Sequence, residues 1–288
     1  MGSGYWSDSA FRSYAASRNR SVGANGAVVG SHSNQEVFKS RSLDPALNPR
    51  NVVRQCCDSE EHPNTVPVIL ALDVTGSMGQ AAVEVANKLN VILTDLYKKV
   101  KDVEFLIMGI GDMACDSFPA QATQFESDIR IADQLEKIYF EFGGGGNGFE
   151  SYSLAWYFGL HHTDIDAIKK RGKKGIIITM GDEPLNPYLP KQGNRTGFKQ
   201  VFGDDIVEDI DTKYLYKEAS KQFDIYHIHV EHLKNDLYRF KNLKDSYMSI
   251  MGEDRVKCVT MDTISDVITE IIVNSATQNV GFEGGIRW

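Results

Sequence analysis

Long apolar runs are absent. The longest, Val66–Leu72 and Gly175–Thr179, fall far short of the ~20 residues a membrane helix needs, so no membrane-spanning role is expected. The opening residues, MGSGYWSDSAF, carry neither the basic patch nor the apolar core of a secretion signal. Trp6 stands where N-myristoylation needs Ser or Thr. Cysteine is scarce, with four in 288 residues. Cys56 and Cys57 are adjacent, Cys115 and Cys258 stand alone, and no CxxC occurs, which excludes a thiolate metal cage by spacing. The expectation is free thiols in a reducing, cytoplasmic setting. Asn194-Arg195-Thr196 fits a glycosylation acceptor but has no meaning in that setting. Basic residues are in the minority, 31 Lys and Arg against 39 Asp and Glu for a net charge of −8, which argues against a general nucleic-acid binder. No GKS or GKT follows the glycines, so a P-loop is excluded. No Ser-His-Asp or Cys-His arrangement is legible, and no internal repeat is found.

What remains is ordinary globular material: 42% hydrophobic and 24% charged, enough to build a sizeable core. The first sixty residues differ from the rest. Ser3, Ser7, Ser9, Ser13, Ser17 and Ser21 alternate with Gly23, Gly26 and Gly30, and Arg12, Arg18, Arg20, Lys39, Arg41, Arg50 and Arg54 make this arm basic. With almost no apolar periodicity it reads as an extended, partly disordered tail, expected to be mobile alone or pinned by a partner or by the domain's flank. Pro45, Pro49, Pro63 and Pro67 continue it as an extended lead-in. The expected organisation is an arm over 1–60, a domain over 61–280 and a short tail over 281–288.

From Val66 the pattern turns regular. Val66–Val74 is a continuous apolar run of strand length, as in a central parallel strand covered on both faces. Ala81, Ala82, Val85, Ala86, Leu89, Ile92, Leu93 and Leu96 then recur at helical spacing. Further strands are expected at Val103–Ile110, Gly175–Thr179, Asp224–Val230 and Arg255–Thr260, with a short edge strand at Thr123–Phe125. Helices are expected at 128–138, 151–160, 164–171, 211–222, 235–251 and 263–275. Strands alternating with helices imply an α/β fold with a doubly wound, mostly parallel sheet.

In such a sheet ligands bind beyond the carboxyl ends of the strands, where the strand order reverses. The first strand ends in Asp73-Val74-Thr75-Gly76-Ser77-Met78-Gly79, and the oxygens of Asp73, Thr75 and Ser77 alternate so that they can converge. The strand Gly175–Thr179 runs into Met180-Gly181-Asp182-Glu183-Pro184, bringing a second carboxylate to the same edge. Between them lies Gly143-Gly144-Gly145-Gly146-Asn147-Gly148-Phe149-Glu150-Ser151, too glycine-rich for a strand or helix. Hydroxyls with few carboxylates suit Mg²⁺, which keeps several waters; Mn²⁺ or Ca²⁺ are the substitutes.

This combination resembles the metal-ion-dependent adhesion site of von Willebrand factor A domains. The family's first-loop pattern Asp-x-Thr-x-Ser is met by Asp73, Thr75 and Ser77, and its third-loop Asp by Asp182, although the usual Thr-Asp-Gly is replaced. The second loop is similar to the GGGDxPE form of hemicentin-like and alpha-kinase-associated A domains, with Asn147 in the Asp position and Phe149 in the Pro position. Asn147 is the first choice for the second-loop ligand, with Ser151 and Glu150 as alternatives. The resemblance implies a Mg²⁺-dependent protein–protein binding module without catalysis, in which a partner's Asp or Glu completes the coordination. It also implies an adaptor in a larger assembly, of the kind that works with AAA+ ATPases. The irregular stretch after Asp182 supplies Tyr188, Arg195 and Phe198, which with Phe149 and Glu150 are expected to form the partner-binding rim. Alternative readings are a metal-dependent hydrolase or phosphotransferase on the same oxygens, and a purely structural assembly subunit. His227, His229 and His232 allow a zinc reading, but no third ligand stands at a compelling spacing, so core or rim histidines are preferred.

Overall fold

The computed structural model describes residues 4–141, 148–231 and 245–278. Six strands form one sheet: β1 (Val66–Asp73), β2 (Val103–Ile110), β3 (Ala120–Ala122), β4 (Gly175–Gly181), β5 (Phe223–Val230) and β6 (Val256–Val259). Their order is β3-β2-β1-β4-β5-β6, and every pairing is parallel except β2 with β3. The chain therefore builds outward from β1 in one direction and from β4 in the other, and the reversal lies between these two strands.

The sheet is covered by helices α2 (Gly79–Tyr97), α3 (Arg130–Leu135), α4 (Leu154–His161), α5 (Asp166–Arg171), α6 (Thr212–Ala219) and α7 (Ile264–Gln278). Alternation along β1 divides the core. Val68, Leu70 and Leu72 pack with α2 and α7, whereas Ile69 and Ala71 belong with α4 and α6 on the opposite side. Both faces being covered explains why β1, β2 and β4 read as unbroken apolar runs. No helix among the described residues is long and apolar enough to cross a membrane.

The edge strand differs from the expected Thr123–Phe125. The ladder with β2 pairs Met108 with Ala122, Gly109 with Gln121 and Ile110 with Ala120. At Thr123 the N–H still donates to the Ile107 carbonyl at 3.0 Å, but the return bond from the Ile107 N–H goes to the Thr123 Oγ1 at 2.8 Å, so a hydroxyl takes the place of one backbone acceptor where the strand ends. Of the helix expected over 235–251, residues 245–251 are helical, and residues 232–244 lie outside the described set.

The larger correction concerns the N-terminal arm. It begins with a helix, α1 (Asp8–Ser17), capped by Ser7, whose side chain accepts from the Ala10 N–H at 3.2 Å. Trp6, Phe11, Ala15, Val28, Val37, Phe38 and Leu47 are buried in the same apolar cluster as α2 and α7. Asn90 of α2 clasps the arm: its Oδ1 accepts from Trp6 Nε1 at 2.9 Å, and its Nδ2 donates to Asp8 at 2.8 Å and to the Gly26 carbonyl at 3.0 Å. The arm's positive charge is matched across the interface, Arg18 to Asp133 and Glu136 and Arg20 to Glu136. These contacts are incompatible with a mobile tail. Apolar residues scattered over turns show no periodicity, yet they are buried in the same cluster as α2 and α7.

The stretch between β4 and α6 is likewise built rather than irregular. Tyr188–Leu189 pairs antiparallel with Ile210–Asp211, and Phe198–Val201 is a helical turn.

Candidate functional site

The site forms where β1 and β4 end side by side. Asp73 is fully buried. Its Oδ1 accepts from the Thr75 N–H at 2.8 Å and the Thr75 hydroxyl at 2.6 Å, and its Oδ2 accepts from the Tyr152 hydroxyl at 2.7 Å. Ser77, in a short helical turn (Gly76–Met78) leading into α2, donates its hydroxyl to Asp182 Oδ1 at 3.1 Å. Asp73, Thr75, Ser77 and Asp182 are thus brought together from both sides of the reversal point. Asn147 lies outside the described residues, together with Gly143–Gly146.

A hydroxyl that has given its proton to a carboxylate keeps its lone pairs for another acceptor role. Thr75 and Ser77 are both in that state, so the donor set has the chemistry a hard divalent cation takes: two hydroxyl oxygens backed by two carboxylates. Among the described residues, no group of three or more His, Cys, Asp or Glu side chains is arranged to hold a metal. A cation held here by the described residues would use the hydroxyls.

Two parts of the site were missed from the sequence. The first is Tyr152, whose hydroxyl joins the two loops by donating to Asp73 and accepting from the Glu183 N–H at 3.3 Å. Glycine at position 181 is required because a Cβ there would collide with that ring. The second is the carboxyl end of β2, where Gly111-Asp112 follows Ile110 directly. Applying the strand-end rule to β2 as well as to β1 and β4 would have found it. Asp112 Oδ1 accepts from Ser151 Oγ at 3.1 Å and from Asn186 Nδ2 at 3.2 Å. Ser151 Oγ in turn accepts from the Met113 N–H at 2.9 Å and from Asn186 at 2.7 Å. Ser151 is consumed by this network and drops out as a second-loop ligand.

The expected rim residues separate by burial. Tyr188 is 49% exposed and Phe149 37% exposed. Arg195 reaches across to Glu141, donating to Oε1 at 2.9 Å, while Glu141 Oε2 accepts from the Ser117 N–H at 3.0 Å. Phe198 is 1% exposed and packs edge-on against Tyr157 at a centroid distance of 4.8 Å. It is a core residue, placed there because the turn Phe198–Val201 folds back onto α4, and it offers no partner-binding surface. Glu150 is 4% exposed and is equally unavailable as a rim contact. His227 is fully buried, stacked on Tyr247 at 3.8 Å with Nδ1 beside Thr179 Oγ1 at 2.9 Å, as expected of a core histidine; His232 lies outside the described residues.

So many carboxylates in one place leave a mark on their protonation. Burial pushes Asp73 up to about 7, against the lowering pull of the Thr75 and Tyr152 hydrogen bonds. Burial likewise takes Asp116 up to about 6, with the Glu141 and Asp112 charges adding to it. Between pH ~4 and ~7 the unfolded chain has released from these two carboxyls protons that the folded, cation-free chain still holds, so their contribution to stability falls as pH rises through that window, opposed by buried His227 and by His161, which hold fewer protons folded than unfolded. Thermal melts in EDTA are expected to give a lower Tm at pH 8 than at pH 5. A Tm that rises over this range would contradict the picture.

No protein-family model matches the chain, and neither does any curated protein sequence. Solved structures do overlap with it. The pilus adhesin SpaC of Lactobacillus rhamnosus GG aligns at 13% identity and a TM-score of 0.48, over 80% of this chain and 31% of its own. The vWF domain of the type V pili tip protein Mfa5 of Porphyromonas gingivalis aligns at 11% and 0.47, over 78% of this chain and 98% of its own. The PilB minor pilin of Streptococcus sanguinis aligns at 13% and 0.46, over 77% and 63%. The chain thus spans about a third of the length of the SpaC adhesin, and none of these overlaps assigns it to a family. These are a pilus adhesin, a pili tip protein and a minor pilin, and the expected cytoplasmic setting is withdrawn.

Proposed function

We propose that the chain is a von Willebrand A-like binding module, doubly wound about β1 and β4. In this reading a divalent cation, Mg²⁺ in the first instance, sits at the carboxyl edge and recruits an acidic side chain of a protein partner. One observation carries the reading: Thr75 and Ser77 each give their proton to a carboxylate, Asp73 and Asp182, from the two strands that flank the reversal point. Such hydroxyls are left as acceptors, and a cation is what acceptors of this kind hold. The strand order β3-β2-β1-β4-β5-β6 and the division of the core between two helix layers support the doubly wound arrangement.

The module is read as non-catalytic. Asp73 is enclosed by hydrogen bonds on both oxygens, and among the described residues no activated nucleophile stands next to a base at this edge. Binding is its role, within a larger protein assembly. Asp73, Thr75, Ser77 and Asp182 would hold the cation, with Asn147 as the second-loop candidate and Tyr188, Phe149 and Arg195 around the opening. The cation would supply charge to attract the partner's carboxylate, and the residues would fix its direction.

The test is a Mg²⁺ titration of EDTA-stripped protein by calorimetry, followed by partner capture with and without EDTA. Saturable Mg²⁺ binding and EDTA-sensitive capture are expected. Absence of any cation binding would remove the basis of this reading.

A further inference from the structure

The position of Asp182 is set from both of its neighbours. The chain leaves β4 through Asp182-Glu183-Pro184-Leu185, and Pro184 has no N–H with which to close a turn of its own. Two buried tyrosines supply the anchors. Tyr152, whose hydroxyl donates to Asp73 Oδ2 at 2.7 Å, accepts the Glu183 N–H at 3.3 Å. Tyr247, on the helical segment 245–251 between β5 and β6, donates its hydroxyl to the Glu183 carbonyl at 2.9 Å. Both backbone groups of the residue after Asp182 are therefore engaged by phenols. The residue before it is Gly181, where a Cβ would collide with the Tyr152 hydroxyl, so the tyrosine lies against β4 at that point. Further along, the Pro184 carbonyl accepts the Glu150 N–H at 3.1 Å, and a parallel bridge pairs Glu150 with Leu185.

The two rings are themselves held. Tyr152 is fully buried and Tyr247 is 1% exposed. Tyr247 stacks on His227 at 3.8 Å with the ring planes 10° apart, and the Tyr152 centroid lies 6.2 Å from Tyr247 and 5.2 Å from His227. His227 is tied back to β4, its Nδ1 lying 2.9 Å from Thr179 Oγ1. A binding constellation keeps its geometry only where the supporting side chains are locked by packing, as these are. We infer that Tyr152 and Tyr247 are positioning residues of the cation site: by holding Glu183 at its N–H and at its carbonyl, they fix where Asp182 stands opposite the Ser77 hydroxyl, 3.1 Å away. This rests on the cation-binding reading given above. It makes a helical segment 64 residues along the chain from Glu183 part of what sets the site. The two phenols differ in reach. Tyr152 ties the β1 carboxylate and the β4 loop to one hydroxyl, whereas Tyr247 acts on the β4 loop alone.

The full chain, stripped with EDTA, is titrated with Mg²⁺ by calorimetry and melted without the cation. The variants are Tyr152→Phe, Tyr247→Phe and Tyr216→Phe, each of which keeps its ring. Tyr216 is the control: its hydroxyl donates to the Met251 carbonyl at 3.3 Å, so its loss takes one hydrogen bond from the same helical segment and none from Glu183. Tyr247→Phe and Tyr216→Phe are each expected to lower the cation-free Tm by a few degrees at most. Tyr152→Phe should lower it further, because buried Asp73 also loses a donor. Removing groups that orient ligands costs about 10–100-fold in metal affinity. Tyr247→Phe is expected at about the lower end of that range and Tyr152→Phe above it, while Tyr216→Phe binds as the parent does. If Tyr247→Phe and Tyr152→Phe both bind Mg²⁺ as the parent does, the phenols serve the core alone and the inference fails while the functional reading stands. If Tyr152→Phe alone weakens binding, segment 245–251 has no part in the site and the assignment of Tyr247 is overturned. An equal loss of affinity in Tyr247→Phe and Tyr216→Phe would trace to the packing of the segment and overturns it as well. If the parent itself binds no Mg²⁺, it is the functional reading that fails, and the inference falls with it.

Discussion

A chain lacking residues 1–40 is expected to lose its cooperative fold at room temperature. The deletion removes Trp6, Phe11 and Phe38 from a cluster in which all three are buried. Truncating a buried Phe or Trp costs about 3–5 kcal/mol each, so three together approach the ~5–15 kcal/mol that holds a typical domain folded. The deletion also uncovers the face of α2 on which Asn90 holds Trp6, Asp8 and Gly26, and strands Glu136 without Arg18 and Arg20. A finer version replaces Phe38, whose ring packs tilted against Phe140 at a centroid distance of 4.6 Å. For Phe38→Ala a loss of about 3–5 kcal/mol translates into a Tm lower by roughly 6–20 °C at this chain length. Circular dichroism melts of the parent, the deletion and Phe38→Ala decide the matter. A deletion variant melting within a few degrees of the parent would show that the arm is an appendage after all.

The second large effect is expected at Asp73. Asp73→Asn keeps the volume and the acceptor for Thr75 but removes the charge on which cation binding depends. Changes to groups that merely orient ligands cost about 10–100-fold in metal affinity; losing a charged ligand should exceed the upper end of that range, and calorimetry should register no Mg²⁺ binding. The variant should not be destabilised without cation. Burial already disfavours the ionised form of Asp73 in the folded chain, so a neutral amide is at least as well tolerated near pH 8. Lost binding with an unchanged or higher cation-free Tm separates a ligand from a structural acid. Retained Mg²⁺ affinity in Asp73→Asn would move the cation site elsewhere.

The central sheet was legible because β1, β2, β4 and β5 are buried on both faces and α2 carries an unmistakable apolar stripe. Periodicity reports such burial directly, since each residue's environment repeats with the backbone. The ends of β1 and β4 were legible for the same reason: once the strands are located, Asp73, Thr75, Ser77 and Asp182 fall at their carboxyl edges without any knowledge of side-chain contacts. Other features depended on which surfaces meet. The arm has no period because its apolar residues are buried by α2, and that helix face exists only in the assembled sheet. Phe198 looked like an exposed anchor in an irregular connection; pairing of Tyr188–Leu189 with Ile210–Asp211 folds that connection onto Tyr157 and buries it. Tyr152, Asp112 and Glu150 gain their significance through neighbours remote in sequence, Asp73 and the segment after β4. Local patterning dictates where each strand and helix lies, because it is set by the chain's own backbone geometry. Which side chains reach the end of β4 is set by packing between distant segments, and only the tertiary structure decides that.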